Sequence, residues 1–377
     1  MSVPRLLAVS VAATFLATVS ELFAQLSQPP MIACSADGKK IVAVYFPGGI
    51  YTSTNSGASW RSNNVPTTNW SAVASSADGT RLVAAIYGGG FYTSGISGIR
   101  WKSNSAPALK WTFLASSEDG TKLVALAAVD GAVYKSADAG ATWTSNNLPS
   151  LWWSSVASSA DGTNLAVVAH AVNGSVGGIY TSTNAGATWT SSNAPTTNWI
   201  SVASSADGSK LAAVAGNGVV YTSLNSGLIW TEMAVPIAAW HITSSADGTR
   251  LAVASLSAIY NSTNSGGTWL HTTVDSGDWF SIASSADGNK LVIVDGFIPR
   301  IVIIQLTPSP FLNIATSSGS FALSWIVPSI DLVLQQSSDL ATTDWTRLTV
   351  ASTLTNLSYQ VNLSSTKSNM LFRLRSP

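Results

Sequence analysis

The chain has 377 residues, 46% of them hydrophobic, which is enough for one large domain and a small one around a substantial core. Its 18 basic and 18 acidic residues cancel and charged residues make up only 10% of the chain, so the electrostatic footprint of a protein that grips nucleic acid or anionic lipid is missing. Cys34 is the single cysteine, which excludes an intramolecular disulfide and a thiolate metal site.

At the N-terminus, Leu6 to Ala24 is an apolar run broken only by small hydroxyl residues and by Glu21 near its end. It reads as a signal peptide over residues 1–24, and an uncleaved anchor is the competing reading because the run is of borderline spanning length. The expectation is a secreted, periplasmic or cell-surface protein, with no membrane insertion once the signal is removed. Met31-Ile32-Ala33-Cys34 faintly resembles a lipoprotein processing box, which implies lipidation at Cys34. Against this, the polar stretch Gln25 to Pro30 separates it from the apolar run, and Cys34 falls where other repeats place Ser75 or Ser204.

The strongest signal is internal repetition. Ser-Ala-Asp-Gly recurs with its Asp at 37, 78, 161, 207, 247 and 287, and Ser-Glu-Asp-Gly supplies a seventh copy at Asp119. The successive spacings of 41, 41, 42, 46, 40 and 40 residues match one four-stranded propeller blade. Each copy lies between two apolar runs, such as Val73-Ala74 and Leu82 to Ile86, and so predicts a hairpin whose Asp caps backbone N–H groups and whose Gly takes positive φ. A cation often follows, as at Lys40, Arg81, Lys122, Lys210, Arg250 and Lys290, and is read as turn surface rather than as a site. The expected fold is all-β: a seven-bladed β-propeller over residues 25–306, built from repeats of about 41 residues.

Downstream in each repeat comes a strand ending in Tyr, a second turn and a Trp, as in Tyr51-Thr52-Ser53-Thr54-Asn55-Ser56-Gly57-Ala58-Ser59-Trp60. This stretch resembles the Asp-box of bacterial-neuraminidase-type repeats, which links the third and fourth strands of a blade, and Ser136 to Trp143 matches that pattern fully. Asn184, Asn225 and Asn264 replace the Asp in three further copies, the second has Ile96 there, and the seventh repeat has no box. Because an amide replaces a carboxylate as acceptor but not as proton carrier, the box is read as a structural turn, with its Trp in the seam between blades. True sialidases share these boxes, yet their arginine triad and their N-terminal Arg-Ile-Pro segment find no counterpart here, and six blades are usual for them. A further resemblance, to photosystem-assembly propellers, implies a basic patch that this neutral chain lacks.

The seventh repeat supplies three evident strands, and Gln25 to Gln28 is a candidate to complete it. Residues 307–311 read as a linker and residues 312–377 as a small β-sandwich, with Phe321 to Trp325, Leu332 to Gln335 and Leu371 to Leu374 as its clearest strands. With Asp339-Leu340 and Trp345, this tail resembles C-terminal domains of exported bacterial proteins, which implies either surface attachment or a plain accessory role.

Function is expected on the face opposite the turns, where the repeats diverge around the channel. Trp70, Trp111, Trp153, Trp199 and Trp279 stand eight residues before the turn Asp and Trp240 seven before it, which makes an aromatic ring. Its Trp faces either pack between blades, the stronger reading, or stack on sugars. Trp152, outside this pattern, is expected to be exposed. His241, Asp275, Asp278, Asp295 and Arg300 gather unusual polarity at blades six and seven. The leading expectation is therefore a monomeric binding or scaffold propeller for a glycan or an extracellular protein, with His241, Arg300 and the six Trp as ligand-binding candidates. The alternative is a glycoside hydrolase using Asp278, Asp295 and Asp275. No P-loop, metal-spaced His cluster or Gly-x-Ser-x-Gly elbow occurs, so no cofactor is expected.

Overall fold

The computed structural model describes residues 30–170, 177–255, 257–272, 274, 277–296 and 300–306, and of the tail 312–317, 320–326, 333–337, 345–348, 352–355, 358–364 and 371–375. The proposed signal peptide, Gln25 to Gln28, most of the loop from His170 to Gly178, Asp275, the linker at 307–311 and Asp339-Leu340 lie outside the described residues.

Each repeat forms a small antiparallel sheet whose strands neighbour one another in chain order. In the first sheet these are Met31–Cys34, Ile41–Val44, Ile50–Ser53 and Arg61–Ser62. Repeats three to six likewise give four strands. In the second sheet Leu82–Ser94 pairs with Trp70–Ser75 by its first half and with Lys102–Lys110 by its second. The seventh has three strands among the described residues, Trp279–Ser284, Lys290–Asp295 and Ile301–Gln305.

The second strands are continuous runs of Ala, Val, Leu and Ile and are buried along almost their whole length, because each sheet is covered on both faces by its neighbours. The outermost strands carry Arg, Thr and Ser and are exposed. Where sheets crowd toward the axis, small side chains are needed, which explains why Ala43, Ala84, Ala125, Ala213 and Val253 fill the middle of these strands with almost no exposure.

The Ser-Ala-Asp-Gly turn is held by its own side chains. In the second sheet Ser76 Oγ donates to Asp78 Oδ1 at 2.6 Å and accepts from Arg81 N at 3.0 Å, and Thr80 N donates to Asp78 Oδ1 at 2.9 Å. These turns also join the sheets. Ala36 N–H donates to Ala77 O, Ala77 to Glu118, Glu118 to Ala160, Ala160 to Ala206, Ala206 to Ala246, Ala246 to Ala286 and Ala286 back to Ala36, all at 2.6–2.8 Å. The seven bonds close a circle.

The cations after the turns form a second set of links and are more than turn surface. Lys40, Arg81, Lys122, Lys210 and Lys290 each reach the backbone carbonyl of the turn Asp in the next sheet, at 2.6–3.4 Å, and Asn164 does the same in the fourth. Their stems lie over the next turn's glycine, so that a Cβ on Gly79 would stand 2.7 Å from Lys40 Cδ.

The boxes rest on the same face. Lys40 Nζ touches both Asp78 O and Ser97 Oγ, and the N–H groups of Ser56, Ser97, Ala139, Ala185, Ser226 and Ser265 bond the first turn of their own sheet. Those six residues are also the non-glycine residues at positive φ, 53–57°, among the described residues. In the full box, Asp138 Oδ1 accepts from Thr142 N and from Ser136 Oγ, both at 2.8 Å, and Oδ2 accepts from Thr142 Oγ1 at 2.6 Å. These bonds hold its pKa down at about 2. Asn184 keeps the backbone bond and reverses the other, its Nδ2 donating to Thr188 Oγ1 at 2.8 Å. Even with Ile96 at the Asp position, Gly98 N still bonds Ser94 Oγ at 3.0 Å, and the backbone shape is kept. In the seventh sheet, which lacks a box, Leu306 N–H bonds Asn289 O in its place.

The tail forms two sheets over one core. Asn313–Ser317, Ser320–Ile326, Ser358–Ser364 and Thr353–Thr355 make one, and Thr346–Arg347, Val333–Ser337 and Leu371–Arg375 the other. Leu323, Trp325, Leu334 and Val361 are buried between them.

Candidate functional site

Around the axis the first strands enclose a cavity of about 160 Å³. Its wall is a register of hydroxyls, Ser75, Ser116, Ser158, Ser204, Ser244 and Ser284, each donating to the next residue's carbonyl at 2.9–3.0 Å. Cys34 completes this register, its Sγ 3.5 Å from Ser284 O, and burial pushes the thiol up to about 12. At the turn end, Ala36, Ala160, Ala206, Ala246 and Ala286 form a buried apolar cluster, and Ile326 and Tyr359 of the tail pack on it. These two residues bring the tail against the turn end of the cavity.

On the face opposite the turns the six-membered tryptophan ring does not exist as an open site. Trp70, Trp111, Trp153, Trp199 and Trp279 are 0–1% exposed and pack in the seams between consecutive sheets. Trp70 lies among Val42, Val44 and Ile50 of the first sheet and Leu82 and Ala84 of the second. No ring face is left for a sugar, so these five candidates are withdrawn as ligand contacts; the rings keep sheets together instead. The box tryptophans join them from the rim, as Trp143 does against Phe91, with centroids 4.2 Å apart.

Trp240 is different in kind. In the second, fourth, fifth and seventh sheets the seam Trp is followed by a residue at a bulge, where Trp70 and Ala72, or Trp279 and Ser281, flank an unpaired position. In the sixth sheet Ala239 fills the seam at 1% exposure and Trp240 takes the next position, at 44% exposure. Its N–H bonds Ala254 O, as that of Thr112 bonds Leu126 O, which fixes the equivalence. Met233, Val235 and Ile237 fill the seam that the indole has left. Phe280, at the same position one sheet on, is 40% exposed, and sequence reading missed it because the repeat gives no warning that this register faces outward. In the second and fourth sheets the register holds Ser71 and Ser154, which bond the carbonyls of Trp111 and Trp199 at 2.7 and 2.6 Å. Trp152 is exposed as expected, at 43%.

The polar candidates divide. His241 follows Trp240, its ring 5.7 Å from that of Phe280, and burial lowers its pKa to about 4, so the imidazole is neutral. Asp295 is buried and accepts a 3.0 Å hydrogen bond from Arg300 Nε, while the guanidinium lies 5.2 Å from the centroid of Trp279. Asp295 is thus engaged by Arg300, whose guanidinium is in turn held against Trp279. Gly277 makes room for this pair, since a Cβ there would lie 2.7 Å from Asp295 Oδ2 and 3.0 Å from Arg300 Nη2. Asp278 stands at the edge, its pKa raised by partial burial and then by Asp295. Among the described residues no three His, Cys, Asp or Glu side chains come together to hold a metal ion, and no helix is long and apolar enough to cross a membrane.

No family model matches the chain, and no curated protein does. Solved structures do. YCF48 bound to a D1 peptide superposes with a TM-score of 0.60 at 13% identity, over 75% of this chain and 95% of that one. YCF48 from Cyanidioschyzon merolae gives 0.59 at 12%, over 74% and 97%. Kuenenia stuttgartiensis hydrazine synthase gives 0.64 at 13%, over 76% and 97%. The fold is a β-propeller. At these identities the likeness concerns the fold alone and assigns this propeller neither ligand nor reaction.

Proposed function

We propose that this chain is an exported, non-catalytic binding or scaffold protein. In this reading it is a seven-bladed ring followed by a small β-sandwich, and its ligand, a glycan or a protein, is taken at the channel mouth opposite the turns. The closed circle of seven turn-to-turn hydrogen bonds supports the blade count. The observation that carries the binding reading is the outward placement of Trp240 and Phe280 at one register of adjacent blades. An indole half in water forgoes much of the burial that its five counterparts obtain, and exposed aromatic faces are typical anchors at binding sites. The enclosure of Asp295 by Arg300 weakens the hydrolase alternative, since it engages one of its three candidate carboxylates, Asp278, Asp295 and Asp275.

The test is a combined glycan and peptide array probed with the wild-type chain and with Trp240→Ala. The reading expects at least one class of hit that the variant loses. Hits shared equally by both proteins, or none, would refute it.

A further inference from the structure

The mouth at blades five to seven has a chemistry narrower than glycan or protein, and the inference drawn from it rests on the binding reading above. Ile200 and Phe280 sit at the bulge of the fifth and seventh blades and Trp240 at the equivalent position of the sixth, where Ser71 and Ser154 in the second and fourth blades tie down a neighbouring carbonyl. One arc of the rim is thus apolar and the other hydroxylic. Along the apolar arc the two aromatic rings are each at least 40% exposed, and His241 backs Phe280 as a neutral imidazole, able both to donate and to accept. Asp278 lies two residues before Phe280 and supplies an acceptor-only carboxylate. The local cation, Arg300, is committed to Asp295 and to the face of Trp279.

From these groups we infer that the arc formed by Ile200, Trp240 and Phe280 binds a neutral polysaccharide. The C–H faces of its sugar rings lie on Trp240 and Phe280, and its hydroxyls donate to Asp278. Aromatic faces supply stacking that does not depend on charge, and a carboxylate without a spare cation beside it accepts hydrogen bonds from hydroxyls while repelling sugar acids. Successive blades present the register at three neighbouring places, which suits a linear polymer over a single small molecule.

Affinity electrophoresis of the full chain through gels cast with neutral polymers (a β-glucan, a mannan) or acidic ones (polygalacturonate, hyaluronate) tests this. A neutral polymer should retard the wild type. Trp240→Ala and Phe280→Ala should each weaken that retardation at least tenfold in apparent Kd, whereas Trp152→Ala, an exposed Trp two blades away, should leave it unchanged. Retardation by acidic polymers only, retardation untouched by Trp240→Ala, or no retardation by any polymer overturns the inference. If the arrays nonetheless give a peptide or acidic glycan lost in Trp240→Ala, the binding reading stands and only the ligand class falls.

Discussion

Replacing Gly79 by Ala separates two reasons for a glycine that are usually confounded. Its φ is +65°, and an added Cβ would lie 2.7 Å from Lys40 Cδ, 2.8 Å from Lys40 Cβ and 3.1 Å from Ser35 Cβ, all in the preceding blade. Left-handed backbone costs a non-glycine residue about 1–2 kcal/mol, and overpacking a filled site about 1–3 kcal/mol more. The methyl also gives back about 0.4–1 kcal/mol by restricting the unfolded chain. A net loss of about 1–5 kcal/mol follows from these three, about 1–3 kcal/mol of it from the packing. Gly88 is the control: its φ is +77° and nothing lies within 4 Å of its added Cβ, so Gly88→Ala should cost only about 1 kcal/mol. Urea denaturation of both variants, followed by tryptophan fluorescence, gives the difference directly. Equal losses would mean that the lysine stem does not clamp the neighbouring turn, and the account of how blades are joined at this face would fail.

Trp199→Ala, at a seam, should lower stability by about 3–5 kcal/mol, whereas Trp240→Ala, which removes a ring only about half buried, should cost about 1–2 kcal/mol, and a thermal melt of each distinguishes packing from display. Ile96→Asn restores the missing acceptor of the second box; a gain of about 0.5–1.5 kcal/mol in urea unfolding is expected, and a loss would show that the box needs no such acceptor. His241 is neutral in the fold, with its pKa lowered from 6.5 to about 4. The unfolded chain therefore binds the proton first, and stability should fall as pH drops from 6.5 toward 4. His241→Gln should flatten that slope in pH-dependent urea titrations, and an unchanged slope would place the imidazole in water.

How much of this was legible in the sequence depends on whether the residue in question acts within its own repeat. The Ser-Ala-Asp-Gly hairpins and the boxes were readable because their bonds join residues two to five positions apart, as in Ser76 with Asp78 and Asp138 with Thr142. The seam role of the box tryptophans followed from ring size rather than from any local bond, since a large ring contributes most when it is buried. The cations misled: Lys40 looks like turn surface until the next blade, 38 residues on, brings Asp78 O to its ammonium group.

The candidate site was the least legible part. Trp240 differs from the seam tryptophans by one position, and in a strand one position decides which face a side chain takes. Sequence spacing therefore grouped it with rings that are buried, and it gave no reason to single out Phe280. The amino-acid sequence by itself determined the repeat, its turns, its strand order and the absence of a strongly charged surface, because these rest on local hydrogen bonding and composition. Only the tertiary structure decided which aromatics are core and which are displayed, that Asp295 is paired with Arg300, and that the tail packs at the turn end of the channel. Each of those depends on what a neighbouring blade or the tail places against the residue, and that contact is not written in any single repeat.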